Sequence, residues 1–174
     1  MLRIVLKINN WLIKALEITV ILVISILVLD VLWGVFSRFI SHYIPVIGEL
    51  SVWTDELARM LLIWVSFLGA SVGFIRKSHL GVDYFVGKLN IRMQTVGQIL
   101  VYLLIAIFAS IAMIYGGIRL VSTTLKTGHE LAALRIDKGY VYLAIPISGF
   151  FIVVFSIETI IKSIISLMRK SGNG

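Results

Sequence analysis

The sequence predicts an all-α fold: an integral membrane bundle of four transmembrane helices, with amphipathic surface helices at the N-terminus and in the cytoplasmic loop, and both termini cytoplasmic. Three observations predict it. Of 174 residues, 59% are hydrophobic and 14% charged, with a mean hydropathy of +1.02; a water-facing domain of this size needs a larger polar shell. The apolar residues fall into four blocks, each long enough for the roughly 20 helical residues that cross a hydrocarbon layer about 30 Å thick. The cations between those blocks are unevenly divided. One membrane domain, 1–174, is the natural count.

The N-terminal stretch 1–14 places Arg3, Lys7, Asn10 and Lys14 on one helical face, with Ile4, Leu6, Ile8, Trp11 and Leu12 around it. Two readings are open. The stretch lies in the interface with its cations near lipid head groups, or it is the solvated start of the first span. That span covers 15–37 and is closed by Arg38. It is too long for a signal-peptide core and no small-x-small cleavage site follows it, which predicts a retained helix. The segment after it contains Pro45 and Gly48, and Trp33 and Trp53 mark the water boundary. The second span, 54–75, opens with Thr54 as a cap and Asp55 and Glu56 in the first turn, where carboxylates offset the positive helix end.

The stretch 79–92 is too polar and short to cross. Its Leu80, Val82, Tyr84, Phe85, Val86 and Leu89 beside Lys88 and Arg92 predict a second surface helix. The third span covers 95–120, and the fourth, 140–168, carries Pro146 early and ends in Arg169 and Lys170. One side of the membrane then holds Arg3, Lys7, Lys14, Arg76, Lys77, Lys88, Arg92, Lys162, Arg169 and Lys170. The other holds Arg38, Arg59, Arg119, Lys126, Arg135 and Lys138. Ten cations against six place both termini in the cytoplasm by the positive-inside rule. The net charge of +7 therefore reflects topology, and no nucleic-acid partner is expected.

Few polar residues fall inside the spans. Asp30 lies eight residues before Arg38, roughly 12 Å inward along a helix. It is read either as a proton or ion site or as one half of a buried pair, with Arg59 or Arg119 as partner. Glu17 and Glu158 have Lys14 and Lys162 within one turn and are expected to form local ion pairs. The three histidines, His42, His79 and His129, fall in connecting segments, which speaks against a haem-bearing anchor for a redox enzyme. With no cysteine, Ser-His-Asp set, metal motif or phosphate loop, catalysis is not expected, and neither is a cofactor. Ser66, Gly69, Ala70 and Gly73 form a narrow small-residue face on the second span, and Ala106, Ser110, Ala112, Gly116 and Gly117 recur on the third. Such faces let helix backbones approach closely in lipid.

The run Trp53-Thr-Asp-Glu-Leu-Ala-Arg59, then Leu62-Ile-Trp64-Val-Ser-Phe-Leu-Gly-Ala70, then Arg76-Lys-Ser-His79-Leu-Gly-Val-Asp83, resembles a known pattern. It is similar to the small, Q-type membrane subunit of tripartite ATP-independent periplasmic (TRAP) transporters. Tyr142-Leu-Ala-Ile-Pro146-Ile-Ser-Gly149 resembles that family's fourth-helix start. Two segments depart from it: Asp55 stands where the pattern has glutamate, and Leu134–Gly139 is more charged.

The resemblance implies a scaffold subunit in sodium-coupled uptake of an organic acid such as a C4-dicarboxylate or sialic acid. It would work in the bacterial inner membrane beside a large M subunit, which holds the substrate and sodium sites, and a periplasmic binding protein. Asp30, Trp53, Asp55, Glu56, Arg59, Trp64, Ser66, Gly69, Ala70, Gly73 and Arg119 are then candidate interface or structural residues. The spacing of Asp55, Glu56 and Arg59 is expected to tie that turn together. Glu49, Lys126, His129, Arg135 and Lys138 are candidate contacts for the binding protein, and Arg3, Lys7, Lys14, Lys88 and Arg92 for lipid. The competing reading is a self-sufficient four-helix multidrug/proton antiporter using Glu17 or Asp30.

Overall fold

The computed structural model describes residues 2–43, 52–76 and 91–171, with side chains over 11–43, 53–76 and 93–165. Helix α1 runs unbroken over Leu2–Ser41. At 1.5 Å per residue it is roughly 60 Å long, about twice a hydrocarbon layer. The stretch 2–14 is thus continuous with the spanning helix, with no break at 14–15. Helix α2 is Val52–Ile75, opening two residues before Thr54. The third span is built end to end from α3 (Ile91–Phe108), a π-helical segment (Ala109–Tyr115) and α4 (Gly116–Thr127). Gly128 stops it in a left-handed conformation (φ 62°), its N–H donating to the Leu125 carbonyl. A short α5 (Lys138–Tyr142) leads into α6 (Ala144–Ser171), whose Pro146 sits in the first turn, where the missing N–H costs little. The expected surface helix at 79–92 lies outside the described residues except for its last two, which begin α3, and Glu49 and Lys88 lie outside them as well.

Among the described residues, four helices are long and apolar enough to cross a membrane. They stand in a row, in the order α1, α2, α6 and the third span. Burial follows that order: 11% and 6% of the most apolar stretch is buried in the two edge spans, against 17% in α2 and 39% in α6. The bundle is thus a single layer with two broad open faces.

Along the α1–α2 seam, Ile13, Leu16, Val20, Val23, Leu27, Asp30, Gly34 and Ser37 turn inward on α1. Their alternating spacing of three and four is the period that keeps two antiparallel helices in continuous contact. At one end Leu16 and Val20 pack with Leu68, Trp64 and Val72. At the other, Gly34 lets Thr54 in so closely that a Cβ there would stand 3.0 Å from its Oγ1. Most of the remaining described side chains of α1, including Leu22, Leu29, Trp33 and Phe36, are exposed; an apolar surface of that extent is stable only in lipid or against a partner.

The α2–α6 seam is made of hydroxyls and aromatics. Ser71 is fully buried and donates to the Ser148 carbonyl at 3.3 Å, besides Phe67 of its own helix. Phe74, Ile152, Phe155 and Ala109 form the cluster that joins α2, α6 and the π segment. Glycine sets the last seam. A Cβ at Gly149 would stand 2.7 Å from the Met113 Cβ, and one at Gly117 2.9 Å from the Pro146 ring.

Candidate functional site

Two cross-helix ion pairs fasten α1 to α2. At one end Arg76 grips Glu17 with two parallel bonds, Nε at 2.5 Å and Nη2 at 2.8 Å. This corrects the expected pair with Lys14. A guanidinium matches both carboxylate oxygens at once, which a flexible ammonium three residues away on the same helix does not. The Glu17 carboxylate also holds the Arg76 guanidinium above its ordinary value, so that side stays charged. At the other end Arg38 is bonded to Asp55. Twenty-one residues separate Glu17 from Arg38, and the same number separates Asp55 from Arg76. Each interval is roughly 31 Å of helix, about the thickness of a hydrocarbon layer. The clamps therefore frame the apolar slab from its two edges. Lys162 and Glu158 form the expected i,i+4 pair at 2.5 Å.

The Asp55–Glu56–Arg59 turn is not tied to itself as expected. Asp55 reaches across to α1, and Glu56 reaches the connection between the third and fourth spans. Its Oε2 accepts the Ala133 and Leu134 N–H groups at 2.9 and 3.0 Å. Arg59 points to the open face of α2 and makes no ion pair among the described residues.

Asp30 is 7% exposed, and neither carboxylate oxygen has a hydrogen-bond partner among the described residues. The expected pairing with Arg59 or Arg119 does not form. Asp30 faces the α1–α2 seam, whereas Arg59 lies exposed on a different side of α2 and Arg119 belongs to the far edge of the row.

The small-residue face of α2 is open. Arg59, Leu62, Ser66 and Ala70 are exposed, and a Cβ built at Gly69 or Gly73 meets nothing within 4 Å. Trp64, by contrast, packs inside the chain against Leu16, Val20 and Leu68, its indole N–H without a partner among the described residues. Trp53 is 39% exposed at the start of α2. Lys126, His129 and Arg135 are exposed and Lys138 half-buried, all at the end of the layer that carries Arg38 and Asp55. Lys14 is exposed; Arg3 and Lys7 lie on the α1 backbone and Arg92 on that of α3, their side chains outside the described residues. Sequence reasoning missed both clamps. The signal was present as acid-then-base spacing of the same length on two consecutive spans, since antiparallel packing brings each acid opposite the other helix's base. Of the close glycines, Gly117 lies on the small-residue face expected on the third span, whereas Gly139 and Gly149 were not singled out for close packing.

Residues 27–165 match the family described as tripartite ATP-independent periplasmic transporters, DctQ component. Curated relatives agree. The chain is 28% identical over 111 residues to the isethionate TRAP transporter permease protein DctMQ of Oleidesulfovibrio alaskensis, covering 64% of this chain and 17% of that protein. It is 26% identical over 130 residues to the sialic acid TRAP transporter small permease protein SiaQ of Vibrio cholerae, covering 74% and 69%. It is also 26% identical over 156 residues to a putative TRAP transporter small permease protein of Haemophilus influenzae, covering 90% and 91%. With four apolar spans in one layer and a family match over most of its length, the chain belongs to the DctQ component family of TRAP transporters, as a multi-pass small permease subunit.

Proposed function

We propose that this chain is the stationary scaffold subunit of a sodium-coupled TRAP transporter that imports an organic acid across the bacterial inner membrane. The observation that carries the reading is the open face of α2. A helix flanked on both sides still presents Ser66, Gly69, Ala70 and Gly73 outward, with room at both glycines. Small residues with no described neighbour over them fit a helix of another subunit, because in lipid close backbone contact drives association. The relative named DctMQ supports this, since the present chain covers only 17% of it and the rest has room for a much larger permease part. The large M subunit would hold the substrate and sodium sites, leaving this chain with no cofactor of its own. The clamps suit a stator: they lock α1 to α2 at both edges of the slab.

The charge count orients the layer with both termini in the cytoplasm, so the Arg38 end and the 128–138 connection face the periplasm, where the substrate-binding protein docks. Two of the relatives are named for isethionate and sialic acid, both acids, which points to that class. The test is co-purification. Gly69→Leu should abolish recovery of the large subunit with this chain, and unchanged complex yield would reject the packing face. Reversing Lys126 and Lys138 to glutamate should weaken uptake without weakening assembly; normal uptake would dismiss that contact. The antiporter reading loses its Glu17 version, because that carboxylate is engaged by Arg76 on both oxygens.

A further inference from the structure

The connection between the third and fourth spans is a built object rather than a slack tether. Its base is closed by Lys138 N–H donating to the His129 carbonyl at 2.9 Å and Leu131 N–H to the Ile136 carbonyl at 2.8 Å. Within it, Arg135 N–H donates to the Leu131 carbonyl at 2.8 Å, and Arg135 holds a left-handed backbone, φ 52°. An arginine rests there only where surrounding bonds fix it. Those turns point two successive N–H groups, of Ala133 and Leu134, at one spot, and the Glu56 carboxylate fills it from just past the first turn of α2. Successive amides around an oxyanion form an anion nest, here occupied by a residue 77 positions earlier in the chain. The shape of this connection thus depends on a different span.

What it presents is of mixed sign: Lys126, His129, Glu130 and Arg135 are exposed, with Lys138 half-buried. An anionic lipid surface selects a uniformly basic stretch. Fixed charges of both signs on a braced frame instead discriminate a folded protein of complementary pattern. We infer that Glu56 is a positioning residue, which holds the 128–138 connection in the shape that receives an acidic patch of the soluble binding protein opposite Lys126 and Arg135. This rests on the transporter reading above.

The test uses the two-subunit complex in lipid nanodiscs, with its soluble binding protein, free of substrate, as the probe. In Glu56→Ala the Ala133 and Leu134 amides should exchange hydrogen about tenfold faster or more, and the dissociation constant for the probe should rise about tenfold, the effect of losing bonds to a charged acceptor. Amides of α2 and α6, and complex yield, should not change, whereas general loosening would move them too. Glu56→Gln keeps an acceptor oxygen and should rescue most of the affinity. Should the alanine variant fail to assemble, Glu56→Asp keeps the charge but withdraws it by one methylene, and it should speed exchange at the same two amides. Unchanged exchange or unchanged affinity in Glu56→Ala, a glutamine variant as weak as alanine, or a silent aspartate variant overturns the role of Glu56. A wild-type complex that ignores the probe overturns the docking reading itself, independently of the amide result.

Discussion

Placing leucine at two different glycines separates what this chain needs for itself from what it offers a partner. At Gly149 on α6, even the first added carbon would stand 2.7 Å from the Met113 Cβ, 3.2 Å from the Ile114 Cγ1 and 3.4 Å from the Ala109 carbonyl oxygen. Carbon atoms rest about 3.5–4.0 Å apart, so the π segment would have to move away by roughly 1 Å before the rest of the leucine is accommodated. Met113 Cβ is fixed to its backbone and has no rotamer with which to yield. Overpacking of this kind costs about 1–3 kcal/mol, with leucine at the upper end, and helix propensity offsets about 1 kcal/mol of it. The net of roughly 2 kcal/mol corresponds to a melting temperature lower by about 4–8 °C for a chain of this size. At Gly69 on α2 a built Cβ meets no described atom within 4 Å, so the same leucine gains propensity and starts into open space. Gly149→Leu should melt early; Gly69→Leu should melt no earlier than the parent yet fail to retain the large subunit. Both are read from thermal unfolding of the purified chain in detergent and pull-down of the co-expressed complex. Equal melting of the two variants would refute the packing argument, and intact association of Gly69→Leu would refute the open face.

The α1–α2 register is testable by cross-linking, since the chain has no native cysteine. The Gly34 Cβ position lies 3.5 Å from the Thr54 Cβ, within the disulfide range of about 3.5–4.5 Å, so Gly34→Cys with Thr54→Cys should oxidise to one intramolecular disulfide; a persistently reduced pair on gel-shift contradicts the register. Glu17→Arg alone should lower the melting temperature by setting two guanidinium groups together, and adding Arg76→Glu should recover most of the loss; a double variant no better than the single rejects the clamp. Asp30→Asn keeps the shape and removes a carboxylate that no described residue pairs with, so the complex should lose less than about 1 kcal/mol; a large drop in melting temperature would reveal a charged partner supplied by another subunit.

The spans were legible because lipid imposes a length and an apolar composition that no other environment asks for. The continuity of α1 through 14–15 was harder to see, because the same amphipathic pattern suits a surface helix and the start of a span. Partners of single charges were misjudged where local spacing competed with geometry across helices. Lys14 and Arg59 stand one turn from Glu17 and Asp55, yet the carboxylates bond Arg76 and Arg38. Helical neighbours are visible in one dimension, whereas the row order of the spans, which decides cross-helix neighbours, is not. For the same reason Gly69 and Gly149 read alike in sequence, although one faces open space and the other faces Met113. Glu56 was read as a first-turn acid; its loop amides lie 77 and 78 positions away and carry no side-chain signature.

The central claim is that this layer of helices supports transport by a neighbour and moves nothing itself. Proteoliposomes containing the purified chain alone, the large subunit alone, or both, supplied with a sodium gradient and the soluble binding protein loaded with sialic acid or another organic acid as tracer, address it directly. The account predicts gradient-driven uptake only where both membrane subunits are present. Uptake by the small chain in isolation, or tracer or sodium binding to it without the large subunit, would contradict it.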